Sequence, residues 1–565
     1  TKVCFRPHID WYTVEHGPNF KHTLSAGNSP TRMLCLATDD ATLSLVPDCD
    51  NTYWGFTPDN RMTANFQVPL GPRDQLSTGL WRPVLEAPDH FRLTLAARPG
   101  DWWEAYRHIV ADLFQFEQPR QWAMPISQMQ QLTIKELMSA QAWSERWQNT
   151  RVLSSDDLFW PFYSTAYALP ALYSWYLATD DTIALDKSHK VVDWLLAVEQ
   201  QDGPMAGGWN TSYWAEGDPP RLVGGDFIRN RWFIPHGTGA VVKTLMWYWK
   251  ASDGQDGRVL AAAKRGGEWL VRTMKPDGGW PYAFDSEGNR ITDQCGAGQI
   301  WCTWALWELY QATGDERYQD AALRSKDYFR DRFMAVHRYV GYWEDTVGIS
   351  KQQTESINSW EGYEPALAIL AFSEMGDRQL ALAAAEDAAV HSWTRVPSTR
   401  TYETSYGQTT EQATCGPSQA QSPLVGVAFH EVYELTGEPL WHALSGAVKA
   451  VNFCADPEQN WGMVATSGWG NPLAGVAGPP YENVRPSVSP DMQRGDYGRQ
   501  LWTGWCTDQF AWLALEWLVR EANSRAPEYL AIDPVTFRGT VLGAPGRVKL
   551  RSEERRVGKE CRSRW

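Results

Sequence analysis

The sequence predicts a mainly α-helical protein, an array of six helical hairpins preceded by a β segment. Three observations carry that expectation. A helix ending in an aromatic residue and a short polar turn recurs as WYLATDD (175–181), WYWKASD (247–253), LYQATGD (309–315), FSEMGD (372–377) and VYELTGE (432–438). A second helix follows each turn, for instance over 191–198, 268–274 and 321–333. Apolar residues alternate with period two only near the start, as in Thr31–Met33–Cys35–Ala37 and Phe91–Leu93–Leu95. A repeat of 50–75 residues, each a helix–turn–helix, is the signature of stacked units that bury their apolar faces against one another.

Taken in order, residues 1–100 read as a β-sandwich segment, with Pro, Gly, Asn and Asp clusters between the strands. The stretch 101–152, opening DWWEAYRHIVADLF, reads as a helical connector. Residues 153–525 hold the hairpins, the sixth being a long helix over 501–522 whose partner would come from the connector. Residues 526–550 form an extension. The final stretch 551–565, RSEERRVGKECRSRW, breaks in composition and resembles read-through of a sequencing adapter. Without it, the chain carries 46 basic against 64 acidic residues, a net charge of −18. The chain starts at Thr1 as though cut, and no signal-peptide layout is visible, so cytoplasmic and secreted locations both stay open.

An acidic chain argues against nucleic acid as a partner, because phosphate binding needs an excess of Lys and Arg. No run approaches 18 apolar residues, which excludes a membrane-spanning helix. The eight cysteines outside the last 15 residues are in no metal-ligand spacing. No metal site and no cofactor is expected, since the nucleotide, metalloprotease and serine-hydrolase motifs are all missing. The outlier is 32 Trp, with 22 Tyr and 19 Phe. Indole rings are seldom buried completely and need a partner for their N–H. Their flat faces suit stacking on the C–H face of a sugar ring.

Proline favours the first helical position, and Pro161, Pro235, Pro365 and Pro423 stand there in four of the predicted first helices. The segments before them would then share one end of the array, together with 293–301 and 491–502. Those segments are long and rich in Trp, Gln, Glu and Arg, whereas the turns at the other end are small. Function usually sits on such loops.

This pattern of hairpins, DGGW-type loops and an aromatic mouth, over residues 100–525, resembles the six-hairpin (α/α)6-toroid carbohydrate-active enzymes, a superfamily of glycoside hydrolases and polysaccharide lyases. The resemblance implies a poly- or oligosaccharide substrate. The same toroid serves terpene cyclases, but their DxDD acid signature is absent here.

Hydrolysis of a glycosidic bond needs one carboxyl group as acid and a second as base or nucleophile. In SWEGYEP, Glu361 and Glu364 open a helix, whose N-terminus favours a charged carboxylate; first-turn capping is the ordinary alternative. Glu344 and Asp345 beside Trp343 are either catalytic or a solvated pair. The loop YGQTTEQATCGPSQAQSP supplies Glu411 and Gln419, and is either a hydroxyl-binding surface or a lid. DFIRNRWFIPH holds Asp226, Arg231, Trp232 and His236. Its arginines and asparagine could neutralise a uronate while His236 or a tyrosine removes the C5 proton, as a lyase or uronate epimerase requires. An Arg–Asp surface network with a capping histidine is the alternative. Arg494, Asp496, Tyr497 and Arg499 form a similar group. Trp160, Trp209, Trp280, Trp301, Trp360 and Trp502, with Gln299 and Tyr363, complete the candidate substrate-binding set. Trp175, Trp247, Trp249, Trp307, Trp512 and Trp517 are expected in the core. A non-catalytic glycan-binding protein is the third reading.

Overall fold

The computed structural model describes residues 34–37, 41–47, 53–55, 65–67, 93–100, 102–108, 134, 137–140, 143–151, 158–214, 231–292, 296–335, 339, 360–361, 363–393, 409–411, 416–418 and 422–452. Strands β1 (Leu34–Ala37), β2 (Ala41–Pro47) and β5 (Leu93–Pro99) form an antiparallel sheet, with Leu36 opposite Leu43 and Leu45 opposite Leu95. β3 (Tyr53–Gly55) pairs with β4 (Asn65–Gln67). Along β2, Thr42 and Ser44 are buried, while Leu43 and, across the sheet, Leu95 are exposed. Within residues 1–100 the described strands give a sheet and a ribbon; a complete sandwich is not among them. Helix α1 (Trp102–His108) packs on β1 and β2.

Five hairpins follow among the described residues. They are α2 (Ala166–Thr179) with α3 (Thr182–Ala197), α4 (Pro235–Ala251) with α5 (Gly257–Thr273), and α6 (Ile300–Thr313) with α7 (Glu316–Phe329). Next come α8 (Tyr363–Glu374) with α9 (Arg378–Trp393), and α10 (Ser422–Thr436) with α11 (Pro439–Asn452). The second helices begin well before the predicted segments, directly after each turn. The expected sixth hairpin helix, 501–522, lies outside the described residues.

The first helix of each hairpin packs on the first helix of the next, in the order α2, α4, α6, α8, α10, and α5 touches both α3 and α7. The result is a two-layered arc. Composition explains the layers. In α4 nearly every residue from Pro235 to Tyr248 is buried, as an inner helix must be. In α5 only one stripe is buried, with Val259, Ala262, Ala263, Gly266, Trp269 and Leu270, so its other side faces water.

The turns between paired helices share one design. Asp181, Asp256 and Asp315 cap the second helix by accepting from backbone N–H groups of its first turn, and Asp377 accepts from Leu380 N. The residue before the second helix's N-cap position is left-handed in four hairpins, Asp180 (φ 58°), Gly314, Gly376 and Gly437, while the longer α4–α5 turn carries two left-handed residues, Asp253 (φ 57°) and Gly254.

At the opposite end the loops are sewn together by short antiparallel pairs. β6 (Trp143–Ser144) pairs with β7 (Asn149–Thr150), β8 (Leu158–Phe159) with β9 (Tyr213–Trp214), and β10 (Ala283–Phe284) with β11 (Arg290–Thr292), while Asn210 bridges Phe233 and Phe233 bridges Phe284. This confirms that the segments preceding α2, α4 and α6 share one end. Pro235 is the first residue of α4 and Pro161 opens a π-turn (Pro161–Thr165) ahead of α2; Pro423 is second in α10 and Pro365 third in α8. All stay within the first turn, where the amide has no helical partner.

Two of these loops repeat a wedge. Gly207 (φ 90°) and Gly278 (φ 92°) lie so close to the next outer helix that an added Cβ would be 2.3 Å from Arg265 O or 2.4 Å from Arg324 O. The following tryptophans turn back inward: Trp209 Nε1 donates to Leu195 O (2.8 Å) and Trp280 Nε1 to Leu270 O (2.9 Å).

Candidate functional site

The mouth is the end of the arc at which the inner helices begin. There Pro235, His236, Trp280, Pro281, Tyr282, Gly296 and Gln299 surround a depression with room for about one water molecule among the described residues. His236 follows from the start of α4, Gln299 from the 3-10 turn Ala297–Gln299 before α6, and Trp280 and Tyr282 from the wedge loop between them. The His236 ring stands edge-on to Phe162 (5.6 Å, 86°), and burial pushes its pKa down to about 3. The imidazole is therefore neutral near pH 7 and presents one donor and one acceptor nitrogen. Tyr282, two residues beyond the wedge tryptophan, was not singled out from sequence; its spacing from Trp280 was the available signal.

The aromatic candidates divide. Trp160, Trp209, Trp232, Trp280 and Trp301 are all buried in one continuous hydrophobic cluster. Trp209 and Trp280 hold their loops through their N–H groups, as above. Trp301 stacks on Trp304 (5.7 Å, 14°) and leans on Tyr167 (6.1 Å, 58°). Only Trp280 of these also lines the depression. Trp175 and Trp247 are buried, and Trp249 and Trp307 pack against the core, as expected for helix-borne rings; Trp512 and Trp517 lie outside the described residues.

Arg231 is exposed with φ 51°, and its guanidinium lies over the Trp214 ring at 4.1 Å. Trp214 is a second residue the sequence reading missed. It sits in β9, the ribbon that joins the first two hairpins at the mouth.

Among the carboxylates, Glu364 is buried at the start of α8. Glu361 closes β12 (Trp360–Glu361), which pairs with β13 (Thr409–Glu411); Trp360 is opposite Glu411 and Glu361 opposite Thr410. β13 continues into β14 (Gly416–Ser418), shortly before α10. The backbone thus brings Glu361 and Glu411 to adjacent strands, one register step apart, with Tyr363 opening the helix that follows. Glu344, Asp345, Trp343, Asp226, Gln419, Arg494, Asp496, Tyr497, Arg499 and Trp502 lie outside the described residues.

Deeper between the inner helices sits a charged cluster that sequence reading also missed. Glu308 of α6 is buried, 2.7 Å from Lys243 Nζ and paired with Lys250, both of α4. Burial alone would raise its pKa; the two lysines prevail and hold it near 2. Lys243 lies 4.2 Å over the Trp304 ring, and Trp304 Nε1 donates to Glu374 of α8 (2.7 Å). No group of metal-ligating side chains occurs among the described residues, and no described helix is long and apolar enough to cross a membrane.

No known family profile and no curated protein matches the sequence. Solved structures similar to the chain include a sugar epimerase from a ruminal bacterium, with 15% identity over 57% of this chain and 85% of that one, TM-score 0.43. An α-mannanase of glycoside hydrolase family 76 from Bacteroides thetaiotaomicron matches at 12% identity over 72% and 98%, TM-score 0.45. A D-mannose isomerase matches at 11% identity over 69% and 97%, TM-score 0.48.

Proposed function

We infer that this chain is a carbohydrate-active enzyme of toroidal hairpin architecture, with its active site at the mouth where the inner helices begin. One observation carries the reading: loops from successive hairpins converge there with groups suited to sugar hydroxyls and to proton transfer. His236, Tyr282 and Gln299 line one depression, Glu364 opens the next inner helix but one, and the Glu361–Glu411 ribbon leads into that helix and its successor.

The finer reading is a glycoside hydrolase acting on a poly- or oligosaccharide. It draws its acid and its base or nucleophile from Glu361, Glu411 and Glu364, with Glu344 and Asp345 as further candidates. The pairing of β12 with β13 supports it, because two glutamates reach neighbouring backbone positions from separate hairpins. The register sets Glu411 opposite Trp360 and Glu361 opposite Thr410, alternate positions of the pleat, so each glutamate is replaced singly. Glu361→Gln, Glu364→Gln and Glu411→Gln are each assayed for reducing ends on a glycan panel. Loss of a catalytic carboxyl group is expected to lower turnover by at least 100-fold; full turnover in all three variants refutes this pairing.

A second reading is favoured by the neutral His236 beside Tyr282. Such a pair could move a proton at a carbon next to a carboxylate or carbonyl, as a polysaccharide lyase or an epimerase does. The same panel separates the readings. A lyase yields an unsaturated uronate that absorbs in the ultraviolet, an epimerase exchanges solvent deuterium into the sugar, and a hydrolase does neither. A glycan-binding protein without catalysis gives binding and no product.

A further inference from the structure

At the end of the arc opposite the mouth, between the first and second hairpins, lies an open groove of about 890 Å3. That is within the roughly 300–1,000 Å3 of small-molecule sites. It is walled by the last turns of α2 and α4, by Leu185, His189, Val192 and Asp193 of α3 and by the turn leading into α5. About 25 Å of helix α4 separates it from His236, so it is no part of the mouth.

Its lining has a definite chemistry. Tyr176 stands at the wall, half-buried, against the edge-on pair Tyr173–Tyr248 (4.9 Å, 69°). Asp193 of α3 and Asp253 and Asp256 of the α4–α5 turn supply carboxylates. The cation is Arg258, and it is committed: its guanidinium binds Asp256 through Nε and Nη2 (3.1 and 2.7 Å) and Asp193 at 3.0 Å. Three carboxylates against one guanidinium leave a surplus of two negative charges, which disfavours phosphate and uronate groups. Asp253 is also held left-handed (φ 57°), directly before the left-handed Gly254 of the same turn. A side chain is thus retained at a position where local geometry prefers none.

We propose that this groove is a second saccharide-binding site, remote from the reaction, for a neutral oligosaccharide. The half-buried Tyr176 ring offers a face for the apolar side of a sugar, and the carboxylates accept from its hydroxyls. The proposal rests on the reading of the chain as glycan-active, but its test reads binding and not turnover.

The full chain is titrated calorimetrically with cellohexaose, mannohexaose and hexagalacturonate. At least one neutral hexasaccharide is expected to bind, and the anionic one to bind this groove more weakly. Asp253→Gly removes the carboxylate and installs a residue that takes a left-handed φ freely, so its melting temperature should not fall. It is expected to weaken groove binding about tenfold. Tyr176→Ala, checked for native circular dichroism, is expected to weaken it about fivefold. Neither variant should change turnover on a disaccharide-sized substrate at the mouth, whereas whichever of Glu361→Gln, Glu364→Gln and Glu411→Gln abolishes turnover should leave the groove isotherm intact. Isotherms of Asp253→Gly and Tyr176→Ala that coincide with the wild type overturn the proposal, as does failure of both neutral hexasaccharides to bind. Loss of turnover in one of these glutamate variants with an altered groove isotherm overturns the separation of the two sites. Absence of any turnover in the wild type, with groove binding retained, sinks the enzymatic reading alone.

Discussion

His236 illustrates how a single buried side chain couples chemistry to stability. Burial takes its pKa from 6.5 down to about 3. The unfolded chain therefore binds a proton below pH 6.5 that the folded chain refuses, and stability falls as pH drops from about 6.5 toward 3. The slope from this group approaches about 1.4 kcal/mol per pH unit. Urea unfolding of the wild type and of His236→Gln between pH 7 and 4 should show a shallower decline in the variant. Parallel curves would mean that the imidazole titrates normally in the fold. Catalytically, a neutral imidazole across this range predicts that any pH–rate limb between 5 and 7 belongs to another group.

The wedge loops make the corresponding argument for an element. Gly207 and Gly203 are both left-handed glycines in one loop, yet only Gly207 meets backbone, at 2.3 Å from Arg265 O. Gly203→Ala should cost about 1 kcal/mol, the backbone strain alone. Gly207→Ala adds a clash with a carbonyl that cannot rotate away, and about 3 kcal/mol or more is expected. Equal losses in denaturant melts would show that the loop moves freely off α5. These loops also show what could be read from the chain. The hairpin repeat, the polar turns and the mouth end were legible because 3.6-residue periodicity, Asp caps and first-turn prolines are local signals. The role of Trp209 was not, since stacking on sugar and donating to Leu195 O ask for the same ring in the same Gly-rich loop. Tyr282 and the Lys243–Glu308 pair were missed for the same reason: nothing local marks which helical lysine faces a glutamate 65 positions later.

Across the whole molecule, that pair ties neighbouring hairpins. Glu308→Gln leaves Lys243 buried without its counter-charge, a loss expected at about 3–5 kcal/mol. Because the folded Glu308 pKa is depressed to about 2, its contribution persists above pH 4.5 and fades only as pH falls toward 2. Thermal melts at pH 7 and pH 3 check both points; a variant as stable as wild type at pH 7 would show that water compensates the lysine. The arc also has ties at both ends. Trp143 receives Lys187 of the first hairpin over its ring at 3.8 Å. Helix α1, some 40 residues earlier, stacks Trp103 on Trp441 of the fifth (5.5 Å, 19°) and pairs Arg107 with Glu438 at 3.0 Å. Trp441→Ala should cost about 3–5 kcal/mol, read as earlier protease cleavage within 102–108.

That last contact spans 331 positions of sequence, and it sets an order of events in the cell. At roughly 5–20 residues per second, the ribosome needs about 17–66 s after α1 emerges before Glu438 exists to meet it. Through that interval Trp103 has no native stacking partner and the first four hairpins form an open row. Any chaperone that attends this chain during synthesis should therefore be found on its N-terminal connector, and should leave once the fifth hairpin has emerged.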